Sequence, residues 1–341
     1  MRIEKTVLGA MPMPYAVGEY KTGDAAGVIF ASEDRNGPCR LYSGNADNAE
    51  TRWNHPGGVM NIVQDGDNPA VWAIQKFFPV FQSAGAEVLR VERDAAGVWR
   101  QTETVPLPYV HRIARFEAGG KPYLLACTLC SHKDFEQDWS HPGSVYAAAL
   151  IPGQTPAFRA VADGLVKNHG LSFIEGAERP TVLVSSAEGV LRIEFLGDGD
   201  LSWRAERIHD REASEAVLFD IDGDGARELI TIEGFHGDHL RIHKATGSGW
   251  EGQKDIPIVF GHVLWAGTIG GKRCILAAGR GAEKDTILYF PPDDIRKEWR
   301  TFQVDSGVGA TQIAVVNGTH ETLLYAANHG VDEVVRYRLS E

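Results

Sequence analysis

Seven of the twelve histidines recur at two positions relative to short apolar runs of the chain. Four stand where a run begins, and three follow the next run: His55, His111, His169 and His262, then His132, His236 and His329. Neutral imidazoles bind Zn²⁺ or Mn²⁺, and catalytic metal sites usually leave one coordination position open. A histidine can also act as a general base near neutral pH. The recurrence therefore predicts one histidine-rich small-ligand site with either or both chemistries.

Charged side chains occupy the equivalent positions of other runs. Arg280 and Lys76 follow second runs, where either could hold an anionic group of a substrate or intermediate. Glu33 also follows a second run, near the N-terminus. In the stretch EASEAV, Glu215 is the residue nearest to the start of a first run, where other copies have histidine. These residues predict a polar rim around the histidines.

Two longer insertions extend the same rim. The segment SHKDFEQDWSHPGSVY, residues 131–146, carries an indole beside acidic groups, which suits stacking on a sugar ring and hydrogen bonding to its hydroxyls. The segment KFFPVFQSAGAE, residues 76–87, holds three phenylalanines that predict either a pocket wall or a contact with another chain. The predicted substrate-binding residues are Lys76, His132, Trp139 and Glu33.

The elements that position these residues form a repeat of about fifty residues. Each copy has an apolar run, a tight polar turn and a second apolar run, as in VHRIARFEAGGKPYLLAC from Val110. A third strand follows, and a fourth carries a recurring aromatic residue. Four strands at this period predict a β-propeller blade. Seven blades fit residues 1–341 as a single all-β domain, and six blades plus an N-terminal extension are the alternative.

Closure of the predicted ring requires a strand from each end of the chain. The last copy ends at its third strand, so RIEKTVL near the N-terminus would supply the fourth strand. In a propeller, the entry to the first strand and the exit from the second lie on one face. The histidines are therefore expected to surround one mouth of the central channel, where polar groups commonly form small-ligand sites.

The stretch DIDGDGARE from Asp220 is typical of a calcium-binding loop. Alternating carboxylates with intervening glycines suit a hard cation, with the candidate ligands Asp220, Asp222, Asp224 and Glu228. The loop resembles those of FG-GAP-type propeller repeats. Because it joins the first and second strands, it belongs to the face opposite the histidines. The sequence predicts structural calcium there, with a polar turn that binds no metal as the alternative.

Composition excludes several other classes of function. A net charge of −12 argues against nucleic acids and anionic membranes as partners, and no apolar run approaches the ~20 residues of a membrane span. The N-terminal sequence does not have the pattern of a secretory signal. Four scattered cysteines predict no disulfide framework, and the spacing of CTLC suits two buried residues better than a zinc site. A reduced, cytoplasmic protein is expected.

The predicted seven-bladed propeller with a mouth lined by histidine and arginine resembles the propeller polysaccharide lyases, such as ulvan lyases, and the propeller part of aldos-2-ulose dehydratase. The resemblance implies β-elimination or isomerisation of a small sugar or sugar acid. It implies His111 and His169 as base and acid, Arg280 as the charge neutraliser, and Tyr109 or Tyr146 as a proton donor. The candidate metal ligands are His55, His111, His169, His236, His262 and His329.

Two other classes of function fit the same sequence. One is a non-catalytic propeller that binds a glycan or a protein through this face, since propellers host many functions. The other is a metal-dependent, lactonase-like hydrolase with a carboxylate-rich calcium site in the channel. A transition metal at the mouth would favour an enzyme over a scaffold. The sequence leaves the oligomeric state open.

Overall fold

The chain forms seven sheets, each of four antiparallel strands, in a computed structural model that describes residues 1–22, 25–43, 49–79, 81–94, 96–197, 202–319 and 321–340. This is the predicted seven-bladed β-propeller, and the six-bladed alternative is wrong. Blades 1 to 3 contain β2 (Pro14–Thr22), β3 (Ala25–Ser32), β4 (Cys39–Ser43), β5 (Ala49–Trp53); β6 (Ile62–Gln64), β7 (Ala70–Gln75), β8 (Glu87–Arg93), β9 (Trp99–Pro106); and β10 (Val110–Ala118), β11 (Lys121–Thr128), β12 (Gly143–Ala149), β13 (Arg159–Leu165).

Blades 4 to 6 follow the same order from the channel outwards. They contain β14 (Gly170–Phe173), β15 (Thr181–Ser186), β16 (Gly189–Gly197), β17 (Ser202–His209); β18 (Ala213–Phe219), β19 (Glu228–Glu233), β20 (His239–Thr246), β21 (Gly249–Pro257); and β22 (Gly261–Ile269), β23 (Lys272–Gly279), β24 (Thr286–Phe290), β25 (Arg300–Asp305). Blade 7 contains β26 (Ala310–Asn317), β27 (Thr322–Asn328), β28 (Glu333–Ser340) and the N-terminal β1 (Arg2–Ala10).

The two ends of the chain close the ring in blade 7. Strand β1 pairs antiparallel with β28, from Arg2 opposite Ser340 to Ala10 opposite Glu333. Beyond the ladder, Asp332 accepts a hydrogen bond from the Met11 amide on its carbonyl, at 2.9 Å. The predicted closure by the N-terminal strand is confirmed, and it covers the edge that β28 would otherwise expose.

Burial follows the order of the strands within each blade. The second strands β7, β15 and β19 are buried along their whole length, because both faces pack against neighbouring blades. They therefore read as continuous apolar runs rather than as alternating patterns. The fourth strands are largely exposed, as in β17. Their recurring aromatic residues fill the wider outer gaps between blades; Trp203, for example, packs edge-on against Phe116 of the preceding blade.

The innermost strands carry β-bulges at equivalent places beside the channel. The pairing register of β2, β10, β18 and β22 shifts around a single residue in each strand, and that of β26 shifts around two. A bulge bends the strand and re-aims the side chain of the extra residue. The residues at these bulges are Tyr15, His111, Ser214, His262 and the pair Thr311 and Gln312.

All four cysteines are buried and none forms a disulfide. Burial raises the pKa of Cys127 to about 12 and that of Cys130 to about 11, so both remain thiols at neutral pH. This agrees with the interpretation of CTLC as two buried residues. No helix in the described part of the chain has the length and apolar character needed to span a membrane.

Candidate active site

Four imidazole rings from four blades converge at one mouth of the channel. The ring centres of His111 and His169 are 4.4 Å apart, and those of His169 and His236 are 4.8 Å apart. His262 completes the group, with its ring stacked on His236 at 5.0 Å. One nitrogen from each of His169, His236 and His262 lies within 4.8 Å of the others. The predicted convergence is therefore present for these four histidines.

Backbone carbonyls of the next blade fix the tautomers of two of these rings. His169 Nδ1 lies 3.2 Å from the carbonyl oxygen of Ser214, and His262 Nδ1 lies 2.9 Å from that of Thr311. A carbonyl can only accept, so each Nδ1 donates its proton and each Nε2 carries a lone pair. Metal-binding histidines are oriented in the same way by acceptors on their second nitrogen.

The two Nε2 atoms of His169 and His236 lie 3.1 Å apart. Two imidazole nitrogens bound to one tetrahedral Zn²⁺ at about 2.0–2.1 Å would be about 3.4 Å apart, which is close to this separation. His236 is held on a backbone with φ of 50°, in the left-handed region that non-glycine residues rarely adopt. The donor set fits Zn²⁺ or Mn²⁺, both of which accept imidazole.

Tyr15, which the sequence interpretation omitted, joins two of the histidines. Its hydroxyl lies 3.2 Å from His111 Nε2 and 3.2 Å from His262 Nε2. Burial raises the pKa of Tyr15, so the phenol keeps its proton at neutral pH. An alignment of the first strands could have found it, because Tyr15 occupies in β2 the bulge position that His111 occupies in β10.

The cluster is electrically neutral at physiological pH. Burial lowers the pKa of His111, His236 and His262 well below the usual histidine value, and the nearby positive charge of Arg112 adds to this effect. Burial also lowers the pKa of His169, against the opposing effect of its hydrogen bond with Glu215. Neutral imidazoles can accept a proton or bind a metal, whereas imidazolium can do neither.

A buried ion pair lies beneath the histidines. Arg112 Nη2 lies 3.4 Å from Glu215 Oε1, and the same oxygen is 3.0 Å from His169 Nδ1. Arg112 Nη1 and His111 Nδ1 are both buried, and neither has a hydrogen-bond partner among the described residues. A buried polar atom without a partner is costly, so these two atoms mark places where a ligand would be stabilised.

A series of hydrogen bonds between charged and polar side chains lies at the rim, on blades 6, 7 and 1. Arg280 Nη2 donates to His329 Nδ1 at 3.1 Å, and His329 Nε2 donates to Glu33 at 3.0 Å. The sequence placed all three residues at equivalent exits from second strands, and the structure brings them together. Arg280 also lowers the pKa values of His236 and His262, so its positive charge acts on the cluster.

Aromatic side chains form a wall beside the histidines. Phe235 packs 4.3 Å from His236 and 5.7 Å from His169, measured between ring centres. Trp139, from the insertion at 131–146, lies 5.6 Å from Phe235 and 5.5 Å from Phe81. Both insertions therefore border the same mouth. The wall comprises Phe77, Phe81, Trp139, Phe235 and Phe260.

His55 does not join the cluster. It is exposed, and among the described residues it has no hydrogen bond or ring pairing with the other histidines. The sequence pattern placed it at the entry to the first strand, but β6 begins only at Ile62. The chain between them turns at Gly58, whose backbone has a φ of 67°. The structure therefore gives no support to His55 as a metal ligand.

Four other predicted residues have no hydrogen bond or ring pairing with the imidazoles among the described residues. Lys76 pairs with Glu87 at 2.7 Å, and His132 is exposed and lies 3.1 Å from Asp134. Tyr109 is buried and Tyr146 packs on β12 against the apolar cluster of blades 2 and 3. Within the described chain, neither tyrosine has a hydrogen bond with the histidines. The tyrosine whose hydroxyl contacts the histidines is instead Tyr15.

The DIDGDG loop joins β18 and β19, as predicted, and a cationic side chain from β20 reaches it. Lys244 Nζ lies 2.6 Å from Asp222, 2.5 Å from Asp224 and 3.1 Å from Glu228. These pairs raise the pKa of Lys244. An ammonium group therefore contacts three of the four carboxylates proposed as calcium ligands. The structural calcium remains a prediction, and the ion would compete with Lys244.

Comparison with solved structures supports the fold. A 6-phosphogluconolactonase-like protein from Bacteroides uniformis matches 93% of this chain and 89% of its own, with a TM-score of 0.58 and 14% identity. Saccharomyces cerevisiae Sqt1 matches 99% of this chain and 98% of its own, with a TM-score of 0.57 and 9% identity. No protein family model matches the sequence, and a search of curated proteins found no significant match. At these identities the likeness concerns the propeller fold alone.

Proposed function

We propose that the chain is an enzyme that removes a proton next to the carbonyl or carboxylate of a small sugar or sugar acid, leading to isomerisation or loss of water. The observation that carries the proposal is the convergence of imidazole nitrogens from His169, His236 and His262 within 4.8 Å. Two of these rings have tautomers fixed by the backbone, which pre-organises them for one ligand. Imidazole nitrogens that are oriented in this way favour a catalytic role over a purely structural one.

The three imidazoles would hold a Zn²⁺ or Mn²⁺ ion, for which the donor set is suitable. Bound there, the ion would supply positive charge that stabilises negative charge developing on the substrate. If the His262 Nε2 lone pair bound the metal, it could no longer accept from Tyr15. The Tyr15 hydroxyl would then hydrogen-bond with His111 alone. The two functions of the cluster are thus divided between separate side chains.

His111 and Tyr15 form the proposed acid–base pair. Neutral His111 takes the proton from carbon, and the electron pair of that C–H bond forms a C=C bond with the next carbon. The hydroxyl on the next carbon leaves with the Tyr15 proton, and the proton on His111 replaces it across their 3.2 Å contact. One molecule of water is lost, and both side chains return to their starting states.

Arginine side chains give the site its preference for acidic substrates. Arg112 presents a buried nitrogen that has no partner among the described residues, and Arg280 lies at the rim near His236. A carboxylate or phosphate bound between them would give Arg112 Nη1 an acceptor. The aromatic wall at Phe235 and Trp139 offers an apolar surface to a sugar ring.

The lactonase alternative receives less support from the described residues. Its calcium site would need free carboxylates at the mouth, but Glu33 is engaged by His329 and Glu215 by Arg112 and His169. A non-catalytic sugar-binding function uses the same residues and differs only in turnover. An assay for turnover distinguishes this binding function from the enzymatic one.

Proton exchange provides the direct test. The metal-loaded protein would be incubated in D₂O with a panel of small aldonic acids, uronic acids and aldoses, and NMR would follow deuterium incorporation and loss of hydroxyl groups. We expect exchange or turnover with at least one acidic sugar, and its loss in His111→Asn. His239→Asn, which changes a half-exposed histidine of β20 away from the mouth, serves as the matched control and should retain activity. Saturable binding of a sugar acid without exchange or turnover would contradict the proposal and establish a binding function.

A further inference from the structure

A second cavity lies between the outer strands of blades 4 and 5, away from the channel strands. It is bounded by β17 on one side and by β20 and β21 on the other, and its volume is about 750 Å³. That size is within the usual range for small-molecule sites. The side chains that define its chemistry are Arg207, His209, Arg211, Arg241, His243 and Lys254.

A buried carboxylate behind the lining of this cleft gathers four donors, all of them from lining residues. Glu233 Oε1 lies 3.3 Å from His209 Nε2 and 3.1 Å from His243 Nε2. Its other oxygen bonds to Arg241 Nη1 and lies 3.6 Å from Arg211 Nη1. Burial alone would raise the pKa of Glu233, but these donors hold it well below its usual value. Glu233 thereby fixes Arg241 and the two imidazoles at the cleft floor.

The group His209, Glu233 and His243 is close enough to suggest a metal site. The surrounding charges oppose that interpretation. Arg241 and Arg211 both approach the Glu233 carboxylate, so a divalent cation there would face two guanidinium groups. The donors converge on an anion, and the cleft is therefore suited to negative rather than positive ligands.

Several cations of the cleft remain available to a ligand. Arg207 and Lys254 have no ion pair among the described residues, and Arg211 is 63% exposed with only its 3.6 Å contact to Glu233. Two acidic residues also line the cleft, but Asp255 is engaged by Arg241 at 3.1 Å, which leaves Asp210. A cationic surface of this kind stands out in a chain whose net charge is −12.

We propose that this cleft binds a small ligand bearing a phosphate or carboxylate group, with Arg207, Arg211 and Lys254 as the ligand-contacting residues. Arg241 is a positioning residue, oriented by Glu233. Guanidinium groups bind such anions in bidentate geometry, and lysine adds a point charge. The site is separate from the channel histidines and does not depend on their proposed chemistry.

Calorimetry with pyrophosphate and with citrate tests the proposal on the full chain. We expect saturable binding of at least one probe, weakened tenfold or more in Arg207→Ala/Lys254→Ala. The control Lys121→Ala/Lys297→Ala removes the same charge from exposed lysines elsewhere and should bind as the wild type does. His169→Ala should also bind normally, which separates this site from the channel.

Preference for pyrophosphate or for citrate would identify the anionic group, and either preference supports the site. Equal weakening in the cleft variant and in the lysine control would reveal non-specific attraction and overturn the proposal. No saturable binding of either probe at millimolar concentration would overturn it as well. Thermal denaturation of each variant would verify that the substitutions leave the fold intact.

Discussion

His169 Nε2 lies 3.1 Å from His236 Nε2, although the other nitrogen of His169 donates to the Ser214 carbonyl. Because His169 can offer only a lone pair at this contact, His236 must donate a proton or share a cation with it. The same logic applies to His262, whose Nδ1 donates to Thr311. The backbone of each following blade thus prepares one imidazole as an acceptor.

Acid should destabilise the fold through the channel histidines. The folded-state pKa values of His111, His236 and His262 are lowered, so the unfolded chain binds more protons as the pH falls through about 6.5. The contribution of these neutral histidines to the free energy of unfolding is fully present above that pH. It decreases below that pH, by at most about 1.4 kcal/mol per pH unit for each histidine. Denaturant unfolding of chelator-treated protein between pH 7.5 and 5.5 measures the slope.

The variant His236→Asn should show a shallower dependence on pH, because it lacks one of the shifted groups. His132→Asn, which changes an exposed histidine, should keep the wild-type slope. An identical slope in the wild type and in His236→Asn would show that this imidazole is not held neutral by the fold.

Removal of the Tyr15 hydroxyl should impair proton transfer with little effect on folding. Tyr15→Phe keeps the ring but loses both 3.2 Å contacts, and we expect kcat to fall about 10²-fold or more on any substrate found. The cost in stability should remain about 1 kcal/mol. Tyr20→Phe, at another buried tyrosine, is the matched control. An unchanged kcat in Tyr15→Phe would exclude this phenol as the acid.

The DIDGDG loop should respond to calcium more strongly once its lysine is removed. Lys244→Ala eliminates the ammonium group that contacts Asp222, Asp224 and Glu228, and leaves their oxygens to an added cation. Differential scanning fluorimetry with and without Ca²⁺ should show a larger rise in Tm for the variant than for the wild type. A larger rise in the wild type would mean that Lys244 moves aside and does not compete. Lys121→Ala controls for the loss of one positive charge.

Loss of the N-terminal strand should open the ring. Deletion of residues 1–10 removes the partner of β28 and exposes its backbone hydrogen-bonding groups. We expect a marked fall in Tm and concentration-dependent association, measured by scanning fluorimetry and light scattering. A monomeric deletion variant with the wild-type Tm would contradict the importance of this closure.

The fold was readable from the sequence because each blade repeats the same hairpin period, and the buried second strands stand out as apolar runs. The position of the histidines was readable for the same reason. His55 was misassigned because its turn at Gly58 delays the strand, and a run pattern does not reveal where a strand begins. The start of β6 is defined only by its hydrogen bonding to the neighbouring strand β7.

Residues that act through tertiary contacts were harder to predict. Tyr15 was missed because it belongs to the weakest copy of the repeat and is not a histidine, although it occupies the same bulge. Lys244 lies on β20 and reaches the DIDGDG loop across the blade, a relationship that spacing does not encode. Likewise, the donors to Glu233 come from β17, β20 and the loop after β17.

Elemental analysis shows whether His169, His236 and His262 hold a metal ion. Protein purified without chelator or a histidine tag would be compared with a His169→Ala/His236→Ala variant, and circular dichroism would confirm that both are folded. We expect near-stoichiometric zinc or manganese in the wild type and its loss in the variant. A wild type that binds neither metal after incubation with either, or a variant that retains the full amount, would contradict this expectation.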